Sequence, residues 1–302
     1  MPEVASQAQE PQSCLENTDV QLCKVDNNLA VFSGGYSVEV PPVDSTNELR
    51  VEAVDGSSLE ISVESDLAGN VFTNVKQSPS LFTTTVSTSS LSTTAIGNTN
   101  CGAATDYVLY GKRPADQPFA WWYNPAGQPA TNSIYRIGEA FQTWIAGKNR
   151  CNTTVVPNSY VSTYMGSTTK QAAVQYYPAY KGAPSGIYIC GSPDPNYKNV
   201  IGWLLISELH LGVTCTEYSK QGIWESSVVF NTFESWYTTF DPSMCSGQKD
   251  LKATATHEIG HTLGLNEFNF ASQSMYLYGP DCFINGRGLG YGDVHGIESI
   301  YP

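Results

Sequence analysis

Two histidines, His257 and His261, stand four residues apart with Glu258 between them, inside the stretch Ala255-Thr256-His257-Glu258-Ile259-Gly260-His261-Thr262-Leu263-Gly264-Leu265-Asn266-Glu267. On an α-helix, side chains four apart stack on one face. Both imidazoles can therefore reach one metal ion while Glu258, one step round, reaches the same cavity. The spacing is the H-E-x-x-H arrangement of zinc hydrolases. A zinc ion with three protein ligands keeps a position for water and lowers its pKa from ~16 towards ~7. Glu258 would take the proton of that water as general base and pass it to the leaving amine. Gly264 sits where a helix can end in a left-handed turn, and Glu267 follows where the reversed chain can bring a third ligand back to the metal.

The longer pattern resembles the metzincin metalloproteases, whose signature is H-E-x-x-H-x-x-G-x-x-H followed by a methionine-containing turn. One position departs from it, because Glu267 stands where the last His is usual. Ser274-Met275-Tyr276 looks like the Met-turn, and the run from Gly292 to Tyr301 looks like the closing helix of the matrixin (matrix metalloprotease-like) branch. Phe119 to Pro125 and Ser227 to Asn231 resemble its first strand and its substrate-side edge strand. The resemblance covers residues 113–302. It implies His257, His261 and Glu267 as ligands of one catalytic zinc, Glu258 as general base and Met275 as an apolar floor under the metal. It also implies a peptide substrate laid along Val228, Val229 and Phe230 by main-chain hydrogen bonds. Three readings of Glu267 stay open: a true third ligand, a natively weakened or inert site, or a residue changed to silence the enzyme. A carboxylate in place of imidazole lowers the net charge of the site by one and weakens its Lewis acidity. His210 and His295 lie apart from the motif, and four histidines leave none for a second, structural zinc; calcium is left open.

Several elements must position these residues. Ile134, Ile137, Phe141 and Trp144 recur at three- and four-residue steps, which predicts an amphipathic helix from an N-cap at Asn132 or Ser133 to Gly147. The signal helix is predicted over Lys249 to Leu263. Short β-branched and aromatic runs predict strands at Thr153 to Val156, Ala173 to Tyr177, Ile187 to Cys190, Val200 to Ile206 and Val228 to Phe230. Nearer the N-terminus, Leu29 to Phe32 and Tyr36 to Val40 read as strands. Leu49, Val51 and Ala53 alternate before Asp55-Gly56, and Leu59, Ile61 and Val63 alternate after it, which is a hairpin pattern. No charged residue occurs from Gln77 to Thr105. The expected organisation is α+β: a β-rich N-terminal region (1–80), a Ser/Thr-rich linker (81–112), and a metzincin-like catalytic domain (113–302) with a mixed, twisted, short-stranded sheet and three helices.

Composition narrows the partners. With 28 acidic against 15 basic side chains the chain carries a formal charge of −13, and no Lys/Arg cluster interrupts the sequence. Nucleic acid and anionic membrane surfaces are thereby disfavoured. No run approaches the ~18 apolar residues of a membrane span. Eight cysteines without a C-x-x-C pair favour disulfides, hence an extracellular protein whose signal peptide is absent from this sequence. Cys190-Gly191-Ser192-Pro193-Asp194 spells a matrixin cysteine switch at the wrong place, and Cys101-Gly102 has the better place and the poorer spelling; disulfides are the default for both. Together these readings describe a secreted zinc endopeptidase acting on protein or peptide substrates, of unassigned oligomeric state. Two rivals stand beside it: a silent binding protein that keeps the protease fold, and a latent zymogen with residues 1–112 as propeptide.

Overall fold

The computed structural model describes residues 22–26, 29–32, 36–53, 58–78, 107–114, 118–149, 151, 162–177, 187–191, 194–206, 210–219, 221–268, 272–276 and 279–301. Among the described residues, six strands lie before the uncharged stretch or run into its start: β1 (Leu22–Asp26), β2 (Leu29–Phe32), β3 (Tyr36–Glu39), β4 (Ser45–Ala53), β5 (Ser58–Ser65) and β6 (Val71–Ser78). After it come β7 (Val108–Leu109), β8 (Phe119–Tyr123), helix α1 (Ser133–Ile145), β9 (Ser162–Ser167), β10 (Val174–Tyr177), β11 (Ile187–Cys190), β12 (Val200–Leu204), β13 (His210–Ser219) and β14 (Gly222–Asn231). The chain closes with β15 (Trp236–Tyr237), β16 (Lys249–Asp250), α2 (Leu251–Leu263), β17 (Leu265–Asn266) and α3 (Tyr291–Ile300). Among the described residues, the mixed sheet with three α-helices fits the α+β class expected of the catalytic domain. Residues 81–106 of the expected linker and the strand at Thr153 to Val156 lie outside the described residues, whereas residues 107–112 carry β7.

The main sheet has eight strands in the order β6-β5-β4-β13-β14-β12-β8-β9. The β4–β5 hairpin forms as the alternation predicts, with Leu49 opposite Ile61 and Val51 opposite Leu59. Beyond that hairpin lies a pairing no local pattern announces: β4 runs antiparallel to β13 from Ser45↔Ser219 to Ala53↔His210. Strands before and after the uncharged stretch therefore share one sheet. The second sheet, β1-β2-β3-β11-β10, mixes them again, since β3 pairs in parallel with β11.

Alternation along the strands gives the main sheet two buried faces. Phe119, Trp121, Val228 and Phe230 meet Ile137, Phe141 and Trp144 of α1 and Ala255, Ile259 and Leu263 of α2 in one core. Val213, Cys215 and Val229 turn the other way and pack with Leu49, Ile61, Val63, Phe32 and Val38 in a second core. At Leu211 the register with β4 slips, and that side chain joins the helix-side core instead. The result is three layers: helices, the eight-stranded sheet, and the five-stranded sheet. Cys190–Cys215 ties β11 to β13 across the second core, and Cys245–Cys282 closes a loop beside α2. Cys190 is thus a disulfide and not a free switch thiol. No helix among the described residues is long and apolar enough to cross a membrane.

Glu225 of β14 is the costly residue in this plan. It is fully enclosed and accepts hydrogen bonds from the Asn199 amide (3.2 Å) and the Ser227 hydroxyl (2.5 Å). Burial pushes its carboxyl up to about 7, against the opposing help of Ser227, Asn199 and Arg113. A carboxyl whose folded pKa is raised makes stability fall as pH rises from the unfolded value, near 4.5, to the folded value near 7. The loss has an upper bound on the order of 3 kcal/mol. Glu225→Gln should therefore gain stability over the parent progressively from pH 5 to pH 8, measured by urea unfolding. A difference independent of pH would show that Glu225 does not titrate in this window.

Candidate metal centre

The helix that carries the histidines begins at Leu251, two residues later than the predicted start at Lys249. Lys249 and Asp250 bridge to Trp236 and Tyr237, and the Asp250 carboxylate caps α2 by accepting the Ala253 amide at 3.0 Å. Arg287 holds that carboxylate from outside at 2.8 Å. At the other end Gly264 has φ 104°, the left-handed conformation expected of it, and a Cβ there would run into the Gly111 carbonyl. The last carbonyls of a helix lack intrahelical partners. Here they are met from three directions: the Tyr110 hydroxyl donates to His261 O, Arg113 Nε to Thr262 O at 3.2 Å, and the Tyr301 hydroxyl to Leu263 O at 3.0 Å.

His257 and His261 are buried with rings nearly perpendicular. Each uses Nδ1 on a main-chain carbonyl: His257 on Ser274 O and His261 on Leu265 O, both at 2.9 Å. A carbonyl only accepts, so both Nδ1 atoms carry the proton. Both Nε2 atoms then present lone pairs, and they lie 3.1 Å apart. Two lone pairs so placed repel each other unless a cation sits between them. Glu267 brings a carboxylate oxygen to 3.7 Å from His261 Nε2, and the three ligand atoms lie within 4.8 Å of one another. Zinc bonds of ~2.0–2.2 Å in a tetrahedron require donors a little over 3 Å apart, so the set fits one ion after a small inward movement of Glu267.

Glu258 is buried against β13. The Thr214 hydroxyl donates to its carboxylate, and Gly212 leaves room for it, since a Cβ there would press on Glu258. Met275 lies under the helix, where a Cβ on Gly260 would collide with its sulfur and with the Trp144 ring. The turn holding Met275 is fixed by Asp293 of α3, which accepts the amides of Ser274 (2.6 Å), Met275 (3.2 Å) and Gly290 (2.7 Å). Asp293 therefore sets Ser274 O, which sets the His257 ring. Sequence reasoning passed over Thr214, Asp293 and the carbonyls of Ser274 and Leu265. Only Asp293 had a local signal, an acidic residue in the first turn of an anticipated helix.

The expectation for Val228, Val229 and Phe230 requires correction. They lie in β14, which is bonded to β13 on one side and β12 on the other, and all three side chains are buried. An interior strand offers no edge to a peptide. The strand that flanks Glu258 is β13, and β4 covers its outer edge. His210 is buried in β13, with its carbonyl accepting from Asn231 at 2.7 Å, and His295 stacks edge-on against Tyr291; neither reaches the cluster. A small pocket lies beside His257, lined by Thr254, Ser274, Tyr276, Pro280, Phe283 and Lys249, the last of which bonds Gly279 O and Asp281.

The Matrixin (Peptidase_M10) family model matches residues 210–302, the segment from β13 to the C-terminus. Metalloendoproteinase 4-MMP of Arabidopsis thaliana is 37% identical over 70 residues, which is 22% of this chain and 20% of that protein. The chain thus spans about a fifth of the relative's length. The matched segment is matrixin-like and contains the cluster of His257, His261 and Glu267.

The packing beneath the site yields a paired test. Gly260→Ala should lower stability by ~1–3 kcal/mol, because Met275 and Trp144 must shift. Gly138→Ala on α1, where a Cβ meets nothing within 4 Å, should raise it by ~0.5–1 kcal/mol. Thermal melts in which both changes act alike would contradict this account of the floor.

Proposed function

We propose that the protein is a secreted zinc-dependent endopeptidase that hydrolyses peptide bonds of protein substrates. His257, His261 and Glu267 hold one zinc ion in this reading, and Glu258 is the general base. The observation that carries it is the pair of opposed Nε2 atoms 3.1 Å apart with the Glu267 carboxylate alongside. Zinc bound there supplies Lewis-acid polarisation of water and of the scissile carbonyl. Glu258, steadied by the Thr214 hydroxyl, takes the proton of the attacking water and delivers it to the departing amine. Burial of both histidines and of Glu258 keeps bulk water from competing for these groups. The matrixin-like segment and the disulfides support the activity and the extracellular setting.

In this reading substrate meets the wall formed by Ser274, Tyr276, Pro280 and Phe283, which is supported by β4 already occupying the outer edge of β13. The core shared by Leu49, Ile61, Val213 and Val229 supports a retained N-terminal region over a released propeptide. Removing that region would expose a sheet of apolar side chains.

The test joins metal content to activity. Metal-replete protein should hold one zinc per chain and cleave unfolded casein, with cleavage stopped by chelator. Glu258→Gln should keep the zinc and lose at least ~100-fold in turnover. A zinc-loaded parent that cleaves nothing would leave the binding-protein reading in place, and a Glu258→Gln variant as active as the parent would remove Glu258 from its role.

A further inference from the structure

The N-terminal strands reach the metal centre itself. Along β5, Leu59, Ile61 and Val63 face the second core, so Glu60 points to the opposite side of the sheet, towards the helices. There it is buried, with one carboxylate oxygen 2.6 Å from Asn266 Nδ2 and the other 2.7 Å from Lys76 Nζ of β6. Asn266 uses the other end of its amide on the next residue: Asn266 Oδ1 accepts the Glu267 main-chain N–H at 2.8 Å. A carboxylate only accepts, so Glu60 dictates which way the Asn266 amide points. Turned over, the amide would set oxygen against oxygen and withdraw the acceptor from Glu267. The Asn266 backbone is pinned independently by β7, through its pairing with Val108.

We propose that Glu60 is a positioning residue for the metal centre. Through Asn266 it holds Glu267 in reach of the two imidazoles, and the meander β4–β6 is thereby a working part of the site. The proposal rests on the reading of Glu267 as a ligand. It also gives the residues before the uncharged stretch a task, which a disposable segment would lack. Lys76 is half exposed and bonds only the far oxygen of Glu60. Its own removal should leave the Asn266 bridge in place.

The test uses the full chain and two readouts: zinc affinity by competition with a chelator, and the visible absorption spectrum of the cobalt-substituted protein. Glu60→Ala should weaken zinc binding by ~10–100-fold and alter the cobalt bands, as loss of an outer partner of a metal ligand does. Glu60→Gln, whose amide oxygen can still accept from Asn266, should restore most of both, and Lys76→Met should resemble the parent. Asn266→Ala removes the same bridge from the other end and should match Glu60→Ala, which keeps the proposal testable should Glu60→Ala fail to fold. Glu267→Ala separates the two layers of argument. If it leaves affinity and spectrum unchanged, the ligand reading itself falls. If it changes both while Asn266→Ala and Glu60→Ala change neither, Glu267 is a ligand and Glu60 does not position it.

Discussion

Two imidazole nitrogens with lone pairs facing each other at 3.1 Å are the constraint that the rest of this structure serves. Left alone, the rings would turn apart. Instead each is held by a carbonyl on its far nitrogen, and each carbonyl is held in turn. Ser274 O sits in a turn gripped by Asp293, and Leu265 O sits in β17, which pairs with β7. The helix that carries both rings is capped by Asp250 at one end and by Tyr110, Arg113 and Tyr301 at the other. Strain of this kind persists in a folded protein where the surroundings over-determine it, and such places are where function concentrates.

The architecture explains why so many elements are recruited. A sheet with helices on one face must cover its other face, and here the five-stranded sheet does so with strands from both ends of the described chain. Because β4 lies along β13, the strand beside Glu258 has neighbours on both edges. A peptide cannot join the sheet there by main-chain pairing while β4 stays. That single pairing makes strands from before the uncharged stretch part of the sheet beside the metal centre.

The parts of this arrangement written in local pattern were legible in the sequence. The histidine spacing, the helix through Ile137, Phe141 and Trp144, the left-handed Gly264 and the β4–β5 alternation all express periods of 3.6 or 2 within a few residues. What escaped was non-local or masked by composition. β13 reads Leu211-Gly212-Val213-Thr214-Cys215-Thr216, with alternation softened by threonine and glycine. Those residues are small or polar because Glu258 needs room at Gly212 and a donor at Thr214. Val228 to Phe230 is the more apolar run because it lies in an interior strand, and its resemblance to an edge strand gave no sign of the neighbours on both sides. The reach of Glu60 to Asn266 spans 206 residues and has no local trace.

The central claim is that His257, His261 and Glu267 form one metal site. X-ray absorption spectroscopy of the zinc-loaded full chain tests it most directly, because imidazole rings scatter in a way that allows them to be counted. The account predicts one zinc per chain with two imidazoles and the remaining positions filled by oxygen at ~2.0–2.2 Å. Three imidazoles, any sulfur ligand, or fewer than two imidazoles would contradict it.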